Sequence, residues 1–153
     1  MANTYSQVYL HFIFTVKGKI SILPKKNKEE LHKYITGLIQ HRKNKLLAIN
    51  SVGDHMHILV GFSTLMTMSD FMEEIKALSS RFINSKTWIP GRFEWQKGYG
   101  VFSYSRSQID TVIKYIANQE EHHKTMSFKE EYIKLLKEFS IEYDEKYLFD
   151  WIE

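Results

Sequence analysis

The alternation of apolar and polar positions sets out the elements of this chain in order. In residues 5–16, YSQVYLHFIFTV, Val8, Leu10, Phe12 and Phe14 point one way and Tyr9, His11, Ile13 and Thr15 the other, which is the period of two of a β-strand. A loop with Pro24 follows. Asn27 stands three residues before Glu30, an N-cap spacing, and Leu31, Tyr34, Ile35, Leu38 and Ile39 recur at helical intervals, so 28–43 is predicted as an amphipathic helix. Residues 45–52 and 55–62 read as two strands joined at Gly53-Asp54, a hairpin. A second helix over about 70–85, capped by Thr67 or Ser69, has the stripe Phe71, Ile75, Leu78 and Phe82. After Pro90-Gly91, residues 93–104, FEWQKGYGVFSY, predict a fourth strand with a bulge at Gly98. A third helix over about 106–123 carries Ile109, Val112, Ile113 and Ile116. A short helix near 128–139 and an aromatic, acidic end close the chain.

The order β-α-β-β-α-β through residue 104 predicts an α+β protein. Its unit is the ferredoxin-like split β-α-β, RRM-like in layout: an antiparallel sheet with both helices on one face and the first and third strands central. The other face is expected to lie open to a ligand, a partner or water, with the Tyr115-bearing helix C-terminal to the sheet. The expected division is a domain over 1–125 and a helical, acidic extension over 126–153.

Candidate chemistry sits at the start of the third strand, in GDHMHILVGF. Met56, Ile58, Val60 and Phe62 form the apolar face for the helices, which leaves His55, His57 and Leu59 on the opposite, open face. Imidazoles at i and i+2 lie about 7 Å apart along a strand. Their rings can converge on one cation, or be two ordinary histidines. His11, on the neighbouring strand, is either a group supporting the pair or a surface side chain, with the surface reading preferred. Two ligands are too few for a catalytic ion. On the third helix, Tyr115 and Gln119 are i and i+4, so they share one face at the edge of the apolar stripe. Gln119 offers an amide oxygen suited to a hard cation. Tyr115 either presents its hydroxyl or packs at the helix edge.

Composition narrows the classes. Hydrophobic residues make up 43% of 153, enough for a packed core, and the absence of cysteine excludes disulfides and thiolate metal sites. No apolar run reaches the roughly 18 residues of a membrane span. The start MANTYSQVYL lacks the basic and apolar regions of a signal peptide, so a cytoplasmic protein without membrane contact is expected. Residues 1–128 carry a net charge of +7 and residues 129–153 one of −4. A basic body suits a polyanionic partner or is ordinary surface charge.

The arrangement is similar to a known family. His-hydrophobe-His opening the third strand of a split β-α-β unit, followed by a helix with Tyr-x-x-x-Gln, resembles the single-tyrosine HUH transposases of minimal bacterial insertion sequences, the insertion sequence 200/605 group. The first strand with His11 and Phe14-Thr15, IKALSSRFIN at 75–84 and FEWQKGYGVFSYS at 93–105 resemble it too. The likeness runs over about residues 5–124. Many relatives follow the first strand with Thr-Lys-x-Arg, where this chain has Thr15-Val16-Lys17-Gly18-Lys19.

The resemblance implies that His55, His57 and Gln119 hold Mg²⁺ or Mn²⁺ and that Tyr115 is the nucleophile. It implies single-stranded DNA with hairpin ends as substrate, a 5′-phosphotyrosine intermediate, and a homodimer in which Tyr115 acts in its own or the other subunit. Lys17, Lys19, Lys76, Arg81, Arg106 and Lys114, with Lys25 and Lys26, are candidate phosphate contacts. Gln96 and Lys97 are candidate DNA contacts from the WQKGYG segment, and Tyr9, Trp95 and Tyr99 are candidate base-stacking rings. The alternative is a non-catalytic or domesticated single-stranded nucleic-acid-binding protein of the same fold, although the aromatic strand pattern of RNA-recognition domains is absent. A two-histidine phosphoesterase needs two His-x-Thr/Ser motifs, and the chain does not carry two.

Overall fold

A computed structural model describes residues 3–152; the outermost residues of the two expected segments, 1, 2 and 153, lie outside it. Four strands form one antiparallel sheet: β1 (Tyr9–Thr15), β2 (Lys45–Val52), β3 (His55–Gly61) and β4 (Gly100–Tyr104). Their spatial order is β2-β3-β1-β4, so the first and third strands are central as the pattern predicts. β1 and β3 pair in register from Tyr9 opposite Gly61 to Thr15 opposite His55. Because side chains alternate along each strand, this register sets His11 and His57 on the same face of the sheet.

Two helices cover one face, α1 (Lys28–His41) and α2 (Met68–Lys86). Between them and the sheet lies the main core: Phe12, Phe14, Met56, Ile58 and Val60 from the strands, Leu31, Ile35 and Ile39 from α1, and Phe71, Met72 and Ile75 from α2. Burying each such side chain contributes about 1.5–3 kcal/mol. Thr67 caps α2 by accepting from the Asp70 amide at 3.0 Å. Asn27 does not cap α1. The 3₁₀ turn Lys25–Asn27 runs straight into the helix, so Asn27 already has helical dihedrals and its side chain cannot reach back to the first free amides.

The opposite face is not open as expected. α3 (Ile109–Ala117) packs Ile109, Val112 and Ile116 on Leu59. α5 (Phe128–Glu138) and the following chain pack Phe128, Tyr132, Leu135, Leu136 and Phe149 on Ile13 and Phe102. The aromatic tail thus supplies the second layer, and the expected boundary at 125/126 lies just before an element that shares a core with β1 and β4.

Two more expectations are corrected. The fourth strand is confined to Gly100–Tyr104. Residues 93–99 instead run beside β1 with one bridge, Val16 to Trp95, and Gly98 turns the chain at φ 84° rather than forming a bulge. The third helix breaks at Asn118, beyond which α4 (Gln119–His122) starts. Asn50 of β2 donates its side-chain amide to the carbonyls of Ile116 and Ala117 at 2.8 and 3.2 Å, which satisfies the end of α3 from outside the helix. No helix among the described residues is long and apolar enough to cross a membrane.

Candidate active site

Five elements converge beneath α5. The β2–β3 turn places Asp54 against His55: its carboxylate accepts from His55 Nδ1 at 2.7 Å, and its carbonyl accepts from the Val16 amide and the Thr15 hydroxyl. The opposite ring nitrogen, His55 Nε2, therefore faces inward, 3.1 Å from Gln119 Oε1 and 3.3 Å from Glu131 Oε1. His57 is turned by His11, whose Nε2 lies 2.8 Å from His57 Nδ1. The two rings stack with centroids 5.0 Å apart. His11 is fully buried, so the surface reading is corrected: it stands behind His57 and fixes which ring nitrogen is turned inward. His57 Nε2 lies 3.3 Å from Glu131 Oε1, too far off line for a hydrogen bond, so this buried atom has no bonding partner.

The meeting point is Glu131 of α5, which is 3% exposed. Its Oε1 faces His55, His57 and, at 3.1 Å, His123 Nε2. Its Oε2 accepts from Gln119 Nε2 at 2.9 Å and from the Tyr115 hydroxyl. Tyr115 reaches the pair from within its own chain, its ring 5.9 Å from that of His57, edge to face. A cavity of about 330 Å³ opens onto Tyr115 and Glu131, walled by Tyr104, His122, Met126 and Lys134.

The electrostatics follow. Burial alone would raise the Glu131 carboxyl, but the close imidazoles of His123, His55 and His57 outweigh it and hold the group well below the usual carboxylate range. Burial pulls His57 down to about 4, and pulls His11 down too, so both imidazoles are neutral. His55 is also opposed by burial, yet its bonds to Asp54 and Glu131 raise it. Burial first, and then the charge of Glu131, push the Tyr115 phenol up, which keeps it protonated.

These donors suit a divalent cation. Ligating atoms of His55, His57 and Glu131 all lie within 4.8 Å of one another. Two imidazoles and a carboxylate are a common ligand set, and the partnerless, buried His57 Nε2 is the atom such an ion would satisfy. Gln119, the third ligand expected from the sequence, is fully buried in the same cluster, with its oxygen on His55 and His123.

Sequence reasoning missed Glu131, His123 and Asp54. A signal existed for Glu131: it is the one acid on the stripe Phe128, Tyr132, Leu135 and Leu136. His123 is four residues beyond Gln119, the helical spacing that sets both on one face with Tyr115.

Other candidates lie elsewhere. Lys19, Arg81, Lys97, Arg106 and Lys114 are exposed, and Lys17 is exposed and paired with Glu94 at 3.6 Å. Gln96 is not free to contact DNA: its side-chain amide bonds the Val16 and Asp150 carbonyls and accepts from the Asp150 amide. The Lys76 ammonium holds the carbonyls of Gln96 and Gly98 at 2.7 and 2.5 Å, and burial lowers it to about 8. Trp95 is buried with its indole on Ser79.

A split β-α-β sheet bearing an inward histidine pair and a facing tyrosine defines the class of the domain. The model of the IS200-like transposases matches residues 4–119, and the chain belongs to that family. Two solved structures share the fold. A presumed transposase of Deinococcus radiodurans is 21% identical, with a TM-score of 0.61 over 78% of this chain and 95% of its own. A REP-associated tyrosine transposase bound to a REP hairpin is 16% identical, with a TM-score of 0.60 over 80% of this chain and 73% of its own. No curated protein matches.

Proposed function

We propose that this transposase cleaves and rejoins single-stranded DNA through Tyr115, with Mg²⁺ or Mn²⁺ held by His55, His57 and Glu131, and Gln119 alongside. The observation that carries the reading is that one buried carboxylate joins the tyrosine hydroxyl to the imidazole pair. When bound, the cation supplies positive charge that offsets the phosphate's and stabilises the ionised phenol.

The chain's own groups account for the rest. Oε2 of Glu131 accepts the phenol's hydrogen bond and orients its oxygen, and the phenol's proton passes to solvent water in the adjoining cavity. The Tyr115 oxygen attacks phosphorus; the bond from phosphorus to the 3′ oxygen breaks, and that oxygen leaves as a 3′-hydroxyl after taking a proton from solvent water. The product is a 5′-phosphotyrosine. Another strand's 3′-hydroxyl then attacks the same phosphorus and the phenol regains its proton, so strands rejoin without an external energy source. Attack by water would forfeit that bond. His11 and Asp54 hold the two imidazoles in orientation throughout.

Hairpin-ended strands are the proposed substrates, in keeping with the hairpin bound by the second structural neighbour. Exposed Lys19, Arg81, Lys97, Arg106 and Lys114 are proposed phosphate contacts. A homodimer would bring a second tyrosine to handle two ends together, although Tyr115 here meets the histidines of its own chain. The proposed compartment is the cytoplasm, where the DNA lies. The test is incubation with labelled single-stranded DNA from the flanks of the protein's own gene. A covalent adduct that requires Mg²⁺ or Mn²⁺ and is lost in His57→Ala is expected; an undiminished adduct in EDTA would reject the metal role.

A further inference from the structure

A second cavity, of about 190 Å³, lies at the β2 edge of the sheet, and nothing in the strand-transfer chemistry uses it. Its apolar walls include Leu23, Pro24, Leu31 and the Trp88 indole. The Lys25 and Lys28 ammoniums stand at it, sharing the Glu120 carboxylate at 3.2 and 3.3 Å. Two cations on one anion leave a net positive charge.

Asn27 also lines this cavity. Having lost the capping role its position suggests, its side-chain oxygen is shielded from solvent and has no partner among the described residues. A shielded acceptor without a donor costs about 1–3 kcal/mol. A turn of the side chain that brings this oxygen to the cavity lets a ligand's N–H relieve that cost.

The cavity also adjoins the reaction centre. Gly53, in its wall, is two residues from His55, and Glu120 follows Gln119. Two residues of strand span about 7 Å, and a strand stacked as in a duplex advances about 3.4 Å per nucleotide, an unstacked one more. A single strand lying across His55 therefore brings a base to this cavity about one or two nucleotides from the cleaved phosphate.

We infer that this cavity is a subsite for one unpaired nucleobase of the substrate strand. The base lies against Trp88, an N–H on its edge donates to Asn27, and the adjoining phosphate takes Lys25 and Lys28 from Glu120. The inference rests on the strand-transfer reading, and it assigns part of the cleavage-site preference to a protein pocket.

The test uses the full chain carrying Tyr115→Phe, so that binding is read without cleavage, and flank-derived single strands with an abasic nucleotide walked through each position. One position within about three nucleotides of the cleaved phosphate should weaken binding about tenfold, as loss of one stacked base does. In the added variant Asn27→Ala, or in Trp88→Ala, that position's penalty should largely vanish. Asn27→Ala removes no hydrogen bond of the oxygen atom, so the fold is kept, and thermal melting checks this. Equal penalties with and without Asn27 and Trp88, or no sensitive position, overturn the subsite. Adduct formation by the unmodified protein is scored separately. Adducts with no Asn27-dependent position sink the subsite alone; an Asn27-dependent position without adducts sinks the strand-transfer reading and keeps the subsite.

Discussion

Replacing Glu131 by glutamine isolates the charge at the centre of the site. Glutamine keeps the shape and one oxygen, so the packing of α5 on Ile13 and Phe102 is preserved. What is lost is a unit negative charge that is 3% exposed and within 3.3 Å of three imidazole nitrogens. At about 4 Å and an effective dielectric near 20, a pair of unit charges interacts by about 4 kcal/mol. Each 1.4 kcal/mol is about a factor of ten in affinity. Part of that is recovered by the amide oxygen and by water, so a fall in Mn²⁺ affinity of about 100-fold or more is expected. Isothermal titration of the full chain near neutral pH reads it, with thermal melting of the metal-free variant confirming the fold. Gln119→Leu in parallel should cost less, because no charge is removed. Unchanged Mn²⁺ affinity in Glu131→Gln, with a larger loss in Gln119→Leu, would refute the carboxylate as ligand.

Three further outcomes are expected. His11→Phe keeps a ring in the core but leaves His57 Nδ1 without its partner, so Mn²⁺ affinity should fall about 10–100-fold; titration of the variant checks it. Asn50→Leu strips the donor from the Ile116 and Ala117 carbonyls, and chemical denaturation should show a loss of about 1–3 kcal/mol. His32, on the Ser51 hydroxyl at 2.8 Å, is lowered to about 4 by burial and by Lys28. The unfolded chain thus binds more protons there between about pH 4 and 6.5, and stability rises with pH across that window. Denaturation midpoints in His32→Gln should rise less over the same range.

Much of the fold can be read from pattern. The period of two in β1 and β3, the helical stripe of α1 and the Gly53-Asp54 turn each report local geometry that tertiary packing did not override. The histidine pair and Tyr115 were legible because strand alternation and the i, i+4 rule say which side chains share a face. Glu131 was not, because its place depends on α5 folding back over the sheet, and a long-range contact leaves no period in the sequence. His11 was misread for the same cause: the face it shares with His57 was taken to be open, and only α3 and α5 bury it. Asn27 shows the converse, a correct local cap signal displaced by the 3₁₀ turn that precedes α1.

The most direct measurement is the address of the DNA on the protein. After incubation with cleavable single-stranded DNA and Mn²⁺, nuclease and trypsin digestion leave a nucleotide on one peptide, to be read by mass spectrometry. A nucleotide on residues 115–124, whose single tyrosine is Tyr115, is the result expected, absent in Tyr115→Phe. A nucleotide on any other peptide, or an adduct that survives in Tyr115→Phe, would contradict the account.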